Sequence, residues 1–407
     1  MKVDDPIHLS RSQGGGRPMR IAVLTAIPTP YRDPFWNVIA ENPGIELEVI
    51  YCAKQKGDRP WELAWEQNYT VHYPESINYA RLWGPAASLY WNPQIRGILR
   101  EGQFDGIIVG GYNHPTMLWA IGYARRHKIP YFLASESYLQ QKRSSWKHLI
   151  KSWLVRSIVK NARGCLPTGS LAAEYLRHYG AKEESLCHVP NVPNVVALFQ
   201  TARELQPRRE AIRDRLGLRR KTVLFIGRFI PMKGGDLLIR AFREMHHEFD
   251  AELVMLGDGP MRKAWESLAE AEGLAAFVRF AGFQAPESLP EWFAAADLMC
   301  LPSNNETWSV VVLEALSSGL PVVITDRVGV YANAVTDERV GKVVRANDLE
   351  ALKKGMRAQL NESVDRETMF EAWSATRAEF SYAQVATKLC NTLLDWCQPQ
   401  GREKHSK

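Results

Sequence analysis

Residues 222–242 read TVLFIGRFIPMKGGDLLIRAF: an apolar run ending in Gly227, a short basic loop, paired glycines, then apolar residues at helical spacing. A strand buried on both faces needs a continuous apolar run, whereas the helix that follows it needs one apolar stripe. This stretch therefore predicts a βα unit. Downstream the alternation continues through AELVMLG, VRFAGF, DLMCLPS, LPVVITD and GKVV, with helices predicted at 235–247, 259–272, 288–296 and 308–318. Upstream, RIAVLTA, ELEVIYC, DGIIVGG, IPYFLAS, GCLPTG and LCHVP form an earlier series. The fold class is α/β, with two βα domains in tandem.

A chain of 407 residues has room for two such domains. Residues 1–18, polar and carrying Gly14, Gly15 and Gly16, read as a flexible lead-in. A first domain is expected over 19–198 and a charged surface connection with a short helix over 199–218. A second domain is expected over 219–380, and a helix and tail over 381–407. In that last segment Val385, Ala386, Leu389, Leu393 and Leu394 fall at helical spacing and must pack on something.

Hydrophobic residues at 45% and charged residues at 24% exclude disorder, collagen and coiled coil for the chain as a whole. No run approaches 18 apolar residues and the first twenty residues lack an apolar core, so a cytoplasmic protein is expected. The six cysteines never form a Cys-x-x-Cys pair, which predicts reduced, buried thiols rather than a zinc site or disulfide framework. Residues 1–200 hold 23 Lys and Arg against 16 Asp and Glu, so the first half carries the whole net charge of +6.

Three segments of the second half carry chemistry. In GRFIPMKGG, Gly227, Arg228 and Lys233 lie at the carboxyl end of a strand, where open α/β sheets bind ligands. Glycine lets backbone approach closely, the guanidinium fork matches phosphate oxygens, and lysine adds a point charge. A solvated Arg and Lys on a glycine turn is the bland alternative. In residues 302–323, PSNNETWSVVVLEALSSGLPVV, a helix starting near Thr307 would place Glu306 at its mouth and Glu314 about two turns inside. The amides of Trp308, Ser309 and Val310 would then face an anion at the positive end of the helix dipole. Glu314, set in VVVLEAL, needs donors: ribose hydroxyls would serve, and a buried salt bridge to Arg228 is the alternative. Gly257-Asp258-Gly259 could pass for a nicotinamide fingerprint, but Arg262 stands at its sixth position and VRFAGF ends without an acidic residue. A tight turn flanking a site is favoured.

GRFIPMKG, LGDGP, VRFAGF, AADLMCLPS and Glu306-x7-Glu314 followed by ALSSGLPVV together resemble the C-terminal half of family 4 glycosyltransferases over residues 221–345. The resemblance implies the GT-B fold: two Rossmann-like domains facing each other across a cleft, with a C-terminal helix crossing back to the first. It implies that Arg228 and Lys233 bind the donor's pyrophosphate, that Glu306 meets hydroxyls of the transferred sugar, and that Glu314 meets the nucleotide ribose. The donor is then a nucleotide-diphosphate sugar, used as substrate with no cofactor. Many family members carry Gly-Phe-Gly where this chain has Thr307-Trp308-Ser309, so Ser309 must adopt a glycine's backbone angles if the loop is to keep its shape.

Toward the acceptor, IPTPYRDPFW replaces a glycine-rich loop found in many relatives and offers Arg32, with a plain surface Arg as the alternative. His114 follows the strand IIVGG as a cleft-facing group or a helix cap, and Glu136 follows YFLAS as an acceptor contact or an ion-pair partner. Residues 140–163 contain seven basic residues and no acid, interleaved with Trp146 and Trp153. That stretch reads as a buried amphipathic helix or a segment leaning on an anionic membrane, which would suit a lipid-linked acceptor. No Asp-x-Asp motif or His/Cys cluster offers a metal cage, so metal-independent transfer to a glycan or lipid-linked hydroxyl is expected, with retention implied by the family. A GT-B sugar-nucleotide epimerase or hydrolase stays open as the alternative, and behind it a basic nucleic-acid or membrane-binding module. The absence of a nucleic-acid motif counts against nucleic acid as partner.

Overall fold

The computed structural model describes residues 17–55, 66–80, 88–139, 146–362 and 365–397, the side chains of 146–150 excepted. The chain divides into two compact units, Met1–Asn191 with Tyr382–Lys407, and Val192–Ser381. Most of the expected lead-in lies outside the described residues. Arg17, at its end, is already anchored by an ion pair to Asp105 at 2.8 Å.

The first unit is built on β1 (Met19–Thr25), β2 (Ile45–Tyr51), β3 (Thr70–His72), β6 (Gly106–Val109), β7 (Tyr131–Ser135) and β8 (Gly164–Pro167). Between them β4 (Ile77–Asn78) and β5 (Tyr90–Trp91) form a small antiparallel pair. The six longer-range strands pair in parallel in the order β3-β2-β1-β6-β7-β8. Parallel pairing covers both faces with helices, which is why Ile21, Ala22, Val23 and Leu24 are all buried. Leu24, Val109 and Leu133 face a core closed by α2 (Ile95–Gly102), α3 (Pro115–His127), α4 (Trp146–Asn161) and α5 (Ser170–His178). Phe132 points the other way and stacks on Trp396 of the C-terminal helix α16 (Tyr382–Cys397) at 5.8 Å. There α16 packs beside α1 (Asp33–Ala40), and the Arg163 Nε donates to the Trp396 carbonyl at 2.7 Å. The apolar stripe of the last helix thus finds its partner in the first unit.

The second unit repeats the plan with β9 (Lys221–Ile226), β10 (Ala251–Leu256), β11 (Val278–Gly282), β12 (Leu298–Leu301), β13 (Val322–Thr325) and β14 (Gly341–Val344), parallel in the order β11-β10-β9-β12-β13-β14. Residues 199–218, read from the sequence as a connection, fold into α6 (Val195–Leu205) and α7 (Arg209–Leu216) and belong to this unit. Then come α8 (Gly235–Glu248), α9 (Arg262–Ala271), α10 (Leu289–Ala295) and α11 (Val310–Ser317). Four more follow: α12 (Tyr331–Ala334), α13 (Leu349–Glu362), α14 (Arg366–Ala372) and α15 (Ser374–Glu379). Both α10 and α11 pack on α6.

Each sheet reverses its direction of growth once, between β1 and β6 in one unit and between β9 and β12 in the other. At such a point the connections leave toward opposite faces and open a crevice at the carboxyl ends. At the amino-terminal edge of the second sheet, opposite the crevice, one half-buried cation ties together the segments that lead into β12 and β13. Arg366 donates to the Phe293, Ala294 and Ala296 carbonyls through Nη2 at 2.8–2.9 Å and to the Ser318 carbonyl through Nη1 at 2.8 Å. Burial pushes its guanidinium down to about 10, still charged at neutral pH. Replacing it with Met should leave those carbonyls unpaired and lower unfolding stability by about 3 kcal/mol or more. Chemical denaturation measures this, and Arg366→Lys should not restore it because one ammonium cannot reach both segments.

Candidate active site

Neighbouring strands β9 and β12 send their loops out side by side. The Asn304 amide donates to the Met232 carbonyl at 2.9 Å, tying the loop after β12 to the loop after β9. Gly234, at φ +69°, lies so close to that neighbour that a Cβ would stand 2.3 Å from the Pro302 carbonyl oxygen. From the other side the Gly257-Asp258-Gly259 turn braces the first loop. The Phe229 amide donates to the Asp258 carbonyl at 2.8 Å, and a Cβ on Gly257 would come within 2.0 Å of the Gly227 oxygen. These glycines serve backbone contact, which agrees with a tight turn flanking a site.

Within this frame Lys233 and Glu306 form an ion pair, with side chains only 14% and 19% exposed. The Lys233 ammonium lies over Gly227, 3.8 Å from where a Cβ would be. Glu306 is held by its backbone: its amide donates to the Arg327 carbonyl at 3.0 Å, and its carbonyl accepts from Gly329 at 2.9 Å. Arg228, next along the chain from Gly227, is exposed. Thr307 is also exposed, whereas Trp308 is buried with its ring edge toward Phe380.

The helix beyond begins later than the sequence suggests. It was expected from about Thr307 or Trp308, but α11 starts at Val310 with Ser309 as its N-cap residue. First-turn amides lack acceptors within their own helix, so the open donors belong to Val310, Val311 and Val312 rather than to Trp308. The Ser309 side chain caps none of them. Ser309 adopts φ +95°, is 8% exposed, and its buried Oγ has no hydrogen-bond partner. It does occupy a backbone region that favours glycine, as the substitution in this loop required.

Glu314 lies in the second turn of α11. Burial pushes its carboxyl up from an ordinary value of 4.5 to about 7. Among the described residues Glu314 shows no ion pair, and burial is the cause of its shift.

In the first unit, two acceptor-side candidates meet each other. Arg32 and Glu136 form an ion pair, and Asn191 joins them, accepting from Arg32 Nε at 2.8 Å and donating to Glu136 at 2.7 Å. Burial pulls the Arg32 guanidinium down, but Glu136 together with Tyr31, Asp33 and Tyr51 outweighs it, and the net direction is up. His114 is buried at the N-cap position of α3, its Nδ1 accepting from the Tyr90 amide at 3.3 Å. No described cluster of three or more His, Cys, Asp or Glu could hold a metal ion.

Two family models match the chain: Glycosyl transferases group 1 over residues 208–373 and Glycosyl transferase 4-like domain over residues 41–192. The chain belongs to the group 1 glycosyltransferases. It is 33% identical over 226 residues to a D-inositol 3-phosphate glycosyltransferase of Corynebacterium diphtheriae, covering 53% of this chain and 52% of the relative. The chain thus spans about half the length of that relative. It is 27% identical to the phosphatidyl-myo-inositol mannosyltransferase of Mycobacterium leprae over 75% of this chain and 78% of that one. A glycosyltransferase structure from Rickettsia africae ESF-5 superposes with a TM-score of 0.73 at 12% identity, over 94% of this chain and 100% of that one. The structure of Anabaena HepE in complex with UDP gives 0.70 at 16% identity, over 93% and 100%. At these identities the structures show the fold, which is GT-B with two Rossmann-like domains.

Sequence reading of this group 1 glycosyltransferase missed Asn191 and the Arg327–Gly329 backbone that pins Glu306. A glycine closing the DRVG stretch after a strand was the available signal for the second; for Asn191 there was none, since the contact spans 159 residues from Arg32. The raised Glu314 carboxyl sets a pH dependence. The ligand-free fold binds an extra proton between about 4.5 and 7, so this contribution is fully present below about 4.5 and is lost as pH rises through about 7. In thermal or urea unfolding, Glu314→Gln should flatten the decline across that window and stabilise the protein at pH 8 by on the order of 2 to 3 kcal/mol. An unchanged slope would show that Glu314 does not titrate there.

Proposed function

We propose that this chain moves a sugar from a nucleoside-diphosphate donor to an acceptor hydroxyl, without a divalent ion and with retention of anomeric configuration. The observation that carries the proposal is the meeting of Lys233 and Glu306 over Gly227, beside the uncapped mouth of α11. Lys233 and Arg228 neutralise the diphosphate, aided by the first-turn amides of α11 and the Ser309 hydroxyl. Phosphate takes the ammonium from Glu306, which frees that carboxylate for hydroxyls of the transferred sugar. Glu314 receives the ribose hydroxyls, donors suited to a half-buried carboxyl without a cation.

The bond between the anomeric carbon and the phosphate oxygen breaks while a new one forms to the acceptor oxygen on the same face. The acceptor proton passes to the departing phosphate, whose negative charge the cations and amides hold. Glu306 and Glu314 are both committed to binding, so neither is assigned as a nucleophile. His114, whose Nδ1 accepts from the Tyr90 amide, is assigned to the acceptor side, as are Arg32 and Glu136. UDP in the HepE structure and the inositol-lipid and inositol-phosphate names of the two relatives support a nucleotide-sugar donor and a glycan or lipid-linked acceptor.

Lys233→Ala should lower turnover by about a hundredfold to a thousandfold, the cost of one preorganised donor to the leaving group. Ser309→Gly should raise the melting temperature, since it relieves the positive φ and a buried unpaired hydroxyl, yet weaken donor binding by about tenfold. Nucleotide-sugar turnover, calorimetry and thermal unfolding read both variants. Full turnover in Lys233→Ala would remove the site, and free sugar released without any acceptor would identify a hydrolase.

A further inference from the structure

Helices α2, α3 and α4 belong to the first unit, whereas the donor-site residues all belong to the second. Helices α3 and α4 contain no acidic residue, and α2 contains only Glu101. Arg96, Arg100, Arg125, Arg126, Lys128, Lys151, Arg156 and Lys160 are all exposed on or beside them. Glu101 pairs with Arg100 at 3.3 Å and leaves the rest of this charge uncompensated by acids of the same helices. Lys142, Arg143 and Lys147, part of the same basic stretch in the sequence, lie outside the described side chains.

A groove of about 450 Å³ runs between α2 and α3. Arg96 and Arg100 line one side, and Trp119, Tyr123 and Arg126 the other. The Arg96 guanidinium stands over two rings, 5.8 Å from Trp91 and 5.6 Å from Trp119, which fixes a side chain that would otherwise sample many rotamers. Trp119 stacks on Tyr123 at 5.3 Å, and Tyr123 meets His127 at 4.3 Å, making an aromatic wall along one face of α3. Gly122 forms the floor. A mid-helix glycine weakens a helix relative to alanine, and nothing lies within 4 Å of where its Cβ would be, so packing does not require it. What the missing side chain does is keep the groove open.

Beside the groove the surface turns apolar. Trp153 is 74% exposed and Leu154 40% exposed on α4, and Leu118 is exposed on α3, one turn before Gly122. Arg125 donates to Ser157 at 3.4 Å, which joins α3 to α4, and Trp153 lies one helical turn from Ser157 on that side. An exposed Trp and Leu set among cations match the boundary between headgroups and acyl chains, where an indole can lie flat while basic side chains reach phosphates.

We infer that this helical layer docks on an anionic bilayer, with lipid phosphate entering the groove to meet Arg96, Arg100 and Arg126 while Trp153 and Leu154 enter the interface beside it. Docking of this kind would hold the chain where a lipid-linked acceptor resides. It is tested without turnover, so its failure and the failure of the sugar-transfer proposal are separate results.

The test is co-sedimentation of the full chain with vesicles of phosphatidylcholine alone and of phosphatidylcholine mixed with phosphatidylglycerol. Binding is expected to the mixed vesicles only and should weaken with added salt. Arg96→Glu with Arg126→Glu, Trp153→Ser with Leu154→Ser, and the groove-filling Gly122→Leu should each reduce the partition, the first by at least about tenfold. Thermal unfolding of each variant shows whether it is folded, and the Trp153 and Leu154 changes, being at exposed positions, should leave the melting temperature unmoved. Equal partition onto neutral vesicles, absence of binding to both, or unchanged binding in the folded charge-reversal variant would overturn the inference. So would tighter binding to RNA or DNA than to the anionic vesicles.

Discussion

Everything in the candidate site depends on the reversal of strand order between β9 and β12. Because consecutive parallel strands are joined by right-handed crossovers, the connections from these two neighbours must depart toward opposite faces, and their loops separate at the carboxyl ends. Into that gap project the groups of the site: Lys233 from one loop and the amides opening α11 for an anion, and Glu306 from the other loop for hydroxyls. The gap keeps its shape because backbone grips backbone, from Asn304 to Met232 and from Phe229 to Asp258, with glycines where a Cβ would intrude. A site braced by main chain can be assembled before its ligand arrives, which is the condition for electrostatic stabilisation of a leaving group.

Much of this was legible in the sequence, for identifiable reasons. Strands buried on both faces print as apolar runs, so most of both series could be read directly, although LCHVP forms no strand and the short β3 was not read; Glu306 and Glu314 carried their spacing openly. What could not be read were contacts distant in sequence and the phase of one helix. Asn191 joins Arg32 and Glu136 only after folding. The segment 199–218 looked like a connection because its composition is charged, yet Ile212 and Arg213 are buried in α7. The start of α11 fell at Val310 because the positive φ of Ser309 cannot continue a right-handed helix, and propensity carried no sign of that.

Two residues break local rules at the site. Ser309 holds a glycine conformation with its hydroxyl buried and unpartnered, and Glu314 sits inside an apolar helix with its carboxyl pushed up to about 7. Sequences are locally consistent except where function requires otherwise, and buried polar groups without partners call for an explanation. A bound nucleotide sugar explains both, offering phosphate oxygens to the hydroxyl and ribose hydroxyls to the carboxyl. Arg32, Glu136 and Asn191 present the opposite case. They satisfy one another within the first unit, so any acceptor contact there must compete with hydrogen bonds already made.

The central claim is that a guanidinium, an ammonium and a helix mouth hold a diphosphate on their own. Calorimetric titration of UDP, GDP and ADP into protein stripped with EDTA, repeated after adding magnesium, addresses it most directly. The account expects at least one nucleotide to bind with the same affinity in both conditions. Binding that appears only when magnesium is supplied would contradict it.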